Sequence, residues 1–163
     1  MMIMKKLFLF IALMFIGTIG LAESPIYNIQ STPIPDIVAG NIVSINYTFG
    51  VRTTDTVPIY FQFNITGKNT TIEENEFVIN GNFQGKNLTC SRKNTIFDCF
   101  IDNSEINLLQ GNYSLYSTLT VAPNTKPDVF TISFSPVSGI RQVDYFSVLP
   151  VGSKTASISL TPA

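Results

Sequence analysis

Histidine and tryptophan are absent from this chain of 163 residues, and charged side chains make up only 13% of it. Without histidine, the Ser-His and Cys-His forms of nucleophilic catalysis lack their base. The same absence removes the usual nitrogen ligand of zinc, and the two cysteines cannot complete a tetrahedral site alone. Basic runs are missing too. Ten Lys and Arg stand against eleven Asp and Glu, which argues against nucleic acid or an anionic membrane as partner. No window carries a convincing helical period, and Asn103 to Gln110 has room for one short turn. A carboxylate pair for glycoside hydrolysis has little support among the acidic residues, because no cleft-forming insertion accompanies them and no Trp offers a stacking surface. The chain is therefore expected not to be an enzyme and to hold no cofactor or metal.

What the chain has begins with its N-terminus. Lys5 and Lys6 precede an apolar run from Leu7 to Ile19, and Gly20-Leu21-Ala22 supplies the small residues of a cleavage site. This is the layout of a secretory signal peptide, residues 1–22. The run is shorter than the ~20 residues that a membrane span needs. All four methionines fall within residues 1–22. Removal of that segment also takes two of the ten basic residues, leaving eight against eleven acidic ones, a net charge of −3. The expected location is secreted, extracellular or on the cell surface, with no membrane span after cleavage.

After Ala22 the pattern changes to period-two alternation, rich in Val, Ile, Thr, Tyr and Phe and broken by Gly, Pro and Asn. Such alternation marks strands with one buried face. Val43, Ile45, Tyr47 and Phe49 share one phase between Ile42 and Val51. Ile59, Phe61, Phe63 and Ile65 do so between Pro58 and Thr66, as do Tyr113, Leu115, Leu119 and Val121 between Asn112 and Val121. Phe130, Ile132 and Phe134 align within Val129 to Phe134. Shorter candidates lie at Ile26 to Ile29, Ile34 to Val38, Glu76 to Asn80, Gln142 to Val148 and Ala156 to Leu160. Many short strands with turn signals between them indicate an all-β sandwich or barrel. The weakest boundary is Pro136 to Arg141. The expected division is one domain over 23–163, with a core at about 34–136 and additional C-terminal strands over 137–163.

Cys90 and Cys99 are the only cysteines, and a secretory route makes a disulfide their default. Pairing them across a hairpin places Arg92 opposite Phe97, Leu88 opposite Ile101 and Asn94-Thr95 in the turn. Leu88, Cys90, Phe97, Cys99 and Ile101 then form one mostly apolar row.

Two stretches carry a resemblance. Ile37-Val38-Ala39-Gly40-Asn41-Ile42-Val43-Ser44-Ile45 resembles the approach to the second strand of immunoglobulin-like and fibronectin-III-like modules in archaeal and bacterial surface proteins. Leu108-Leu109-Gln110-Gly111-Asn112-Tyr113-Ser114-Leu115 resembles the loop entering their penultimate strand. The resemblance covers about residues 34–136. It implies an immunoglobulin-like antiparallel β-sandwich and gives Tyr113 the role of a tyrosine corner, its hydroxyl bonding back to upstream backbone. The chain departs from the antibody pattern in placing both cysteines within one hairpin and in lacking the central Trp. Modules of this wider group mostly mediate adhesion, spacing or assembly.

Five Asn-x-Ser/Thr triplets, at Asn46, Asn64, Asn69, Asn87 and Asn112, are candidate N-glycosylation sites. Asn46, Asn64, Asn87 and Asn112 fall on outward phases, and Asn69 lies in a turn-like stretch. The acidic stretch Glu73-Glu74-Asn75-Glu76, and Asp98 with Asp102-Asn103-Ser104-Glu105, offer oxygen ligands for calcium, but without a recognised loop spacing a solvated loop is the stronger reading. Tyr60 and Tyr116 are outward aromatics suited to a partner surface or to cross-strand pairing. Two functions follow. The first is a surface adhesion or spacer module binding other envelope or surface proteins. The second is a filament subunit in which residues 23–38 or 142–160 add to a neighbouring copy's sheet edge.

Overall fold

The computed structural model describes residues 24–52, 56–139 and 141–153. The apolar N-terminal segment through Ala22 and the candidate strand Ala156 to Leu160 lie outside the described residues. Along the described chain run β1 (Ile26–Ser31), β2 (Ile37–Val38), β3 (Ile42–Val51), β4 (Val57–Gly67), β5 (Phe77–Phe83), β6 (Lys86–Asn87) and β7 (Thr89–Lys93). They are followed by β8 (Ile96–Phe100), β9 (Ile106–Leu108), β10 (Gly111–Val121), β11 (Asp128–Ser138), β12 (Arg141–Gln142) and β13 (Tyr145–Gly152). The alternation decides which side of each strand is buried: in β3, Val43, Ile45, Tyr47 and Phe49 are buried while Ser44 and Thr48 are exposed.

Two sheets form the sandwich. One has the order β1-β3-β10-β5-β6, the other β2-β13-β11-β4-β8-β7, with β12 paired to β11 and β9 to β4. The succession β1-β3-β10-β5 against β13-β11-β4 is the immunoglobulin arrangement. The protein is thus an all-β, immunoglobulin-like sandwich. It departs from that arrangement at the β7–β8 hairpin, which arises between β5 and β10 of the first sheet but pairs onto β4 of the second.

Aromatic side chains join the two sheets. Tyr47 of β3 stacks on Phe134 of β11 at 3.9 Å, and Phe61 of β4 meets Phe83 of β5 at 5.0 Å. All four rings are buried, and each contributes on the order of 1.5–3 kcal/mol relative to exposure. Burial raises the Tyr47 phenol well above the ordinary tyrosine range, with the neighbouring Ser147 hydroxyl acting in the opposite direction.

The chain changes sheets between β1 and β2. Thr32 N–H still donates to Asn46 O, whereas Ile37 already pairs with Val151. Pro33 and Pro35, which have no N–H to donate, separate the two pairings; the expected strand from Ile34 is accordingly reduced to Ile37–Val38. At the other end, the expected division near Pro136 falls inside β11, which runs to Ser138 and turns at Gly139. Here β12 is a two-residue addition, but β13 pairs along β11 from Asp128↔Val151 to Phe134↔Tyr145 and then runs parallel to β2. It is a working member of the sandwich.

Candidate functional site

The outer face of the first sheet is built from the outward phases of β3, β10 and β5. Register places Asn46, Tyr116, Asn82 and Asn87 opposite one another across β3, β10, β5 and β6. Ser44, Thr118 and Asn80 form the next row, and Gln30, Thr48 and Ser114 stand on the other side. A row of Ile42, Thr120 and Val78 closes one end. No charged residue occurs in β1, β3, β5 or β10, and Lys86 of β6 is the one charge among this sheet's strands. Tyr116, 58% exposed, rises from the centre. Beside it an open depression of about 390 Å³ is lined by Ser44, Asn46, Asn80, Asn82 and Thr118.

The hydrogen-bonding capacity of this face is mostly unspent. Asn82 is used structurally: its Oδ1 accepts from Gly85 N–H at 3.1 Å and its amide reaches Asn87 Oδ1 at 3.4 Å. Among the described residues, the side-chain amides of Asn46 and Asn80 have no hydrogen-bond partner within the protein. Gly81, on the inward phase between Asn80 and Asn82, permits the edge to close. A Cβ there would stand 2.7 Å from Leu88 Cδ1, so a larger residue would displace the Leu88 side chain from its present place against β5.

The residues singled out from sequence are scattered over the sandwich. Cys90 and Cys99 are joined by a disulfide and pair across β7–β8, with Arg92 opposite Phe97 and Asn94-Thr95 in the turn. Leu88 and Ile101 do not pair. The ladder ends at Thr89↔Phe100, and Leu88 N–H donates to Gly81 O of β5. The Tyr113 hydroxyl donates to Leu109 O at 2.7 Å, and its ring stacks on Phe49 at 5.8 Å. Its strand, however, is β10 of the first sheet, whereas the penultimate long strand is β11. The corner geometry therefore sits one strand earlier than the resemblance implied.

Of the five glycosylation candidates, Asn46, Asn87 and Asn112 lie on the strands that form the uncharged face. Asn64 is on the outer side of β4, half-buried, with its Oδ1 buried and unbonded. Asn69 lies in the loop after β4, where its backbone N–H and its side-chain amide both donate to Asp128. Tyr60 stacks on Phe100 at 4.9 Å, the cross-strand alternative, which leaves Tyr116, of these two, open to a partner; Phe146 of β13, 65% exposed, is a further outward aromatic on the second sheet.

Asp128 is the carboxylate that sequence reasoning missed. Burial pushes its pKa up, but hydrogen bonds from Asn69 N–H, the Thr70 hydroxyl, Val129 N–H and Thr70 N–H outweigh that and hold it down at about 2. Gly67 leaves room for this arrangement, since a Cβ would lie 2.7 Å from Asp128 Oδ2. The role is a staple between the β4 exit and β11. The candidate calcium ligands are similarly employed or apart: Glu76 Oε2 accepts from Glu73 N–H at 2.9 Å, Asp98 takes the Gln62 amide, and Asp102 faces Lys86 at 3.6 Å. Among the described residues no group of three or more His, Cys, Asp or Glu is placed to hold a metal ion. Nor is any helix among them long and apolar enough to cross a membrane.

No protein-family model matches this sequence, and no curated protein matches it. Solved structures do. The sandwich is similar to a protein described as catalysing macrocyclisation in alchivemycin A biosynthesis, with a TM-score of 0.53, 7% identity, and coverage of 81% of this chain and 92% of that one. It is similar to a family 123 glycoside hydrolase from Clostridium perfringens, with a TM-score of 0.54 and 11% identity over 80% of this chain and 28% of that one. A cohesin module of a Clostridium perfringens family 33 glycoside hydrolase matches at a TM-score of 0.43 and 10% identity, over 80% of this chain and 100% of that module. The likeness is one of fold.

Proposed function

We propose that this chain is a non-enzymatic binding or adhesion module of the cell surface, secreted by its N-terminal segment, that engages its partner through the outer face of the first sheet. The observation that carries the reading is the Tyr116 face. It is an uncharged array of amides and hydroxyls around one exposed aromatic ring, on a sheet whose strands carry a single charge at the rim. A rigid scaffold presenting unspent polar groups and an aromatic anchor is how binding surfaces gain affinity at low entropic cost. The Cys90–Cys99 disulfide accords with an oxidising, extracellular setting.

Assembly into a filament by strand addition is the reading we do not favour. Both β1 and β13, the strands nearest the ends that would be donated, pair within their own sandwich.

The test is binding of the purified chain, lacking residues 1–22 and fluorescently labelled, to envelopes of the cells that make it. Light scattering on the same sample reads its oligomeric state. Expected are a monomer, saturable binding, and a marked loss of binding in Tyr116→Ala at unchanged melting temperature. Absence of saturable binding refutes the module. A ladder of oligomers surviving mild denaturant transfers support to the filament.

A further inference from the structure

We infer that the Tyr116 face is a binding site for a neutral glycan, a chain of uncharged sugar rings lying across β3, β10, β5 and β6. The inference rests on the binding-module reading and names its ligand class.

Strand physics gives the first reason. Asparagine is depleted in strands, where Thr and other β-branched residues are preferred. Yet Asn46, Asn80 and Asn82 occupy outward positions inside β3 and β5, beside Ser44, Ser114 and Thr118. Strand stability alone would not select these residues. Each amide supplies both donors and acceptors and each hydroxyl supplies both, which matches the hydroxyl groups of a sugar. The amides of Asn46 and Asn80 have no partner within the protein among the described residues.

Geometry gives the second. Tyr116 stands in the same row as Asn46 and Asn82, so a ring stacked on its face would have an amide on either side. Aromatic rings offer an apolar face with a polar tip, suited to the C–H side of a pyranose. From Asn46 to Asn87 the row crosses three strand spacings, about 14 Å, the span of a short oligosaccharide.

Charge and hydrophobicity weigh against the alternatives. A protein partner would be met by an apolar centre with a polar rim, but here the apolar side chains Ile42 and Val78, 64% and 48% exposed, are confined to one end row. An acidic glycan would need cations, and Lys86 at the rim is the one cation on these strands. Asn46 and Asn87 are themselves glycosylation candidates. A glycan attached to either would cover Tyr116, so the site requires both to be unmodified in the mature protein.

Affinity electrophoresis of the disulfide-intact chain, through gels containing mannan, dextran, a soluble cellulose derivative or heparin, tests this. Peptide mapping of the native protein reads the occupancy of Asn46 and Asn87. Expected are retardation by at least one neutral polysaccharide, unchanged between about 50 and 500 mM salt, and none by heparin. Tyr116→Ala and, independently, Asn80→Asp should weaken it by about tenfold or more, while Phe146→Ala on the opposite sheet leaves it intact. Two results overturn the inference and spare the module: envelope binding that Tyr116→Ala weakens with no neutral polysaccharide retained, and native occupancy of Asn46 or Asn87. Loss of envelope binding altogether refutes the module itself.

Discussion

The two sheets share one core but spend their outward polar groups in opposite ways. On the second sheet, Gln142 donates to Gln62 and Asp144, Gln62 donates to Asp98, and the Ser135 hydroxyl donates to Asp144. Tyr60 is stacked on Phe100, and Asp128 ties the loop after β4 to β11. Most polar groups of that sheet are thus bonded to one another, Asn64 Oδ1 being an exception, and Phe146 and Val148 stand exposed beside them. On the first sheet, register sets Asn46, Tyr116, Asn80 and Thr118 side by side without joining them. Buried polar groups must find partners, whereas exposed ones need none for stability, so a self-bonded face points to architecture and an unbonded one is free for a ligand. On the function proposed above, the devices of the second sheet serve stability and the first sheet serves recognition.

Removing the Cys90–Cys99 bridge is the strongest way to break this contrast. With the double substitution Cys90→Ala and Cys99→Ala, the chain-entropy argument for so short a loop anticipates a loss of about 2–3 kcal/mol, read by urea unfolding. Cys99 is buried against β4, pairing with Phe61, so the loss falls on the second sheet. Envelope binding by the folded fraction should be unchanged. A parallel fall in binding would show that the two faces are coupled through the core.

The hairpin also shows how far the sequence reads on its own. Its register from Arg92↔Phe97 through Cys90↔Cys99 follows from spacing and a two-residue turn, with Asn94 in the left-handed region that asparagine tolerates (φ 56°). The next step fails because Leu88 has a better partner outside the hairpin, the glycine gap at Gly81. The same division holds elsewhere. Alternation in β3, β4 and β10 is local and legible. The integration of β13 between β11 and β2, the placement of Tyr113 on β10, and the carboxylate staple at Asp128 all depend on pairings distant in sequence. Tyr116 could be read as outward, but not that Asn46 and Asn82 flank it, because that needs the registers of β3 and β5 against β10.

Acid sharpens the contrast by a smaller amount. The Asp128 carboxyl, ordinarily near 3.8, is held at about 2 in the folded protein. A group whose folded pKa is depressed contributes stability that is present above its unfolded value and disappears as pH falls through the folded one. The melting temperature should therefore fall between about pH 4 and pH 2, and Asp128→Asn should flatten that part of the profile while lowering stability at neutral pH. An unchanged slope in the variant would mean that the staple is not the acid-sensitive element. Between about pH 4 and pH 8, binding through the Tyr116 face should be independent of pH, since its three central strands carry no Asp, Glu, His, Lys or Arg.

The smallest expected effect is a gain. Asn46→Thr and Asn80→Thr each replace a poor strand residue by a good one at an outward position, within a propensity scale that spans about 1 kcal/mol. Each should raise stability by about 0.5 kcal/mol, measured as a higher urea midpoint at constant m-value. If the amides exist for recognition, the same substitutions weaken envelope binding, because a hydroxyl and methyl replace a group that both donates and accepts at the length required. More stable and weaker binding together is the signature of a face held away from its structural optimum by function. More stable with binding intact would place the contacts on Tyr116 and the hydroxyls alone. Less stable would mean that the asparagines serve the strands after all, and the distinction between the two faces would vanish.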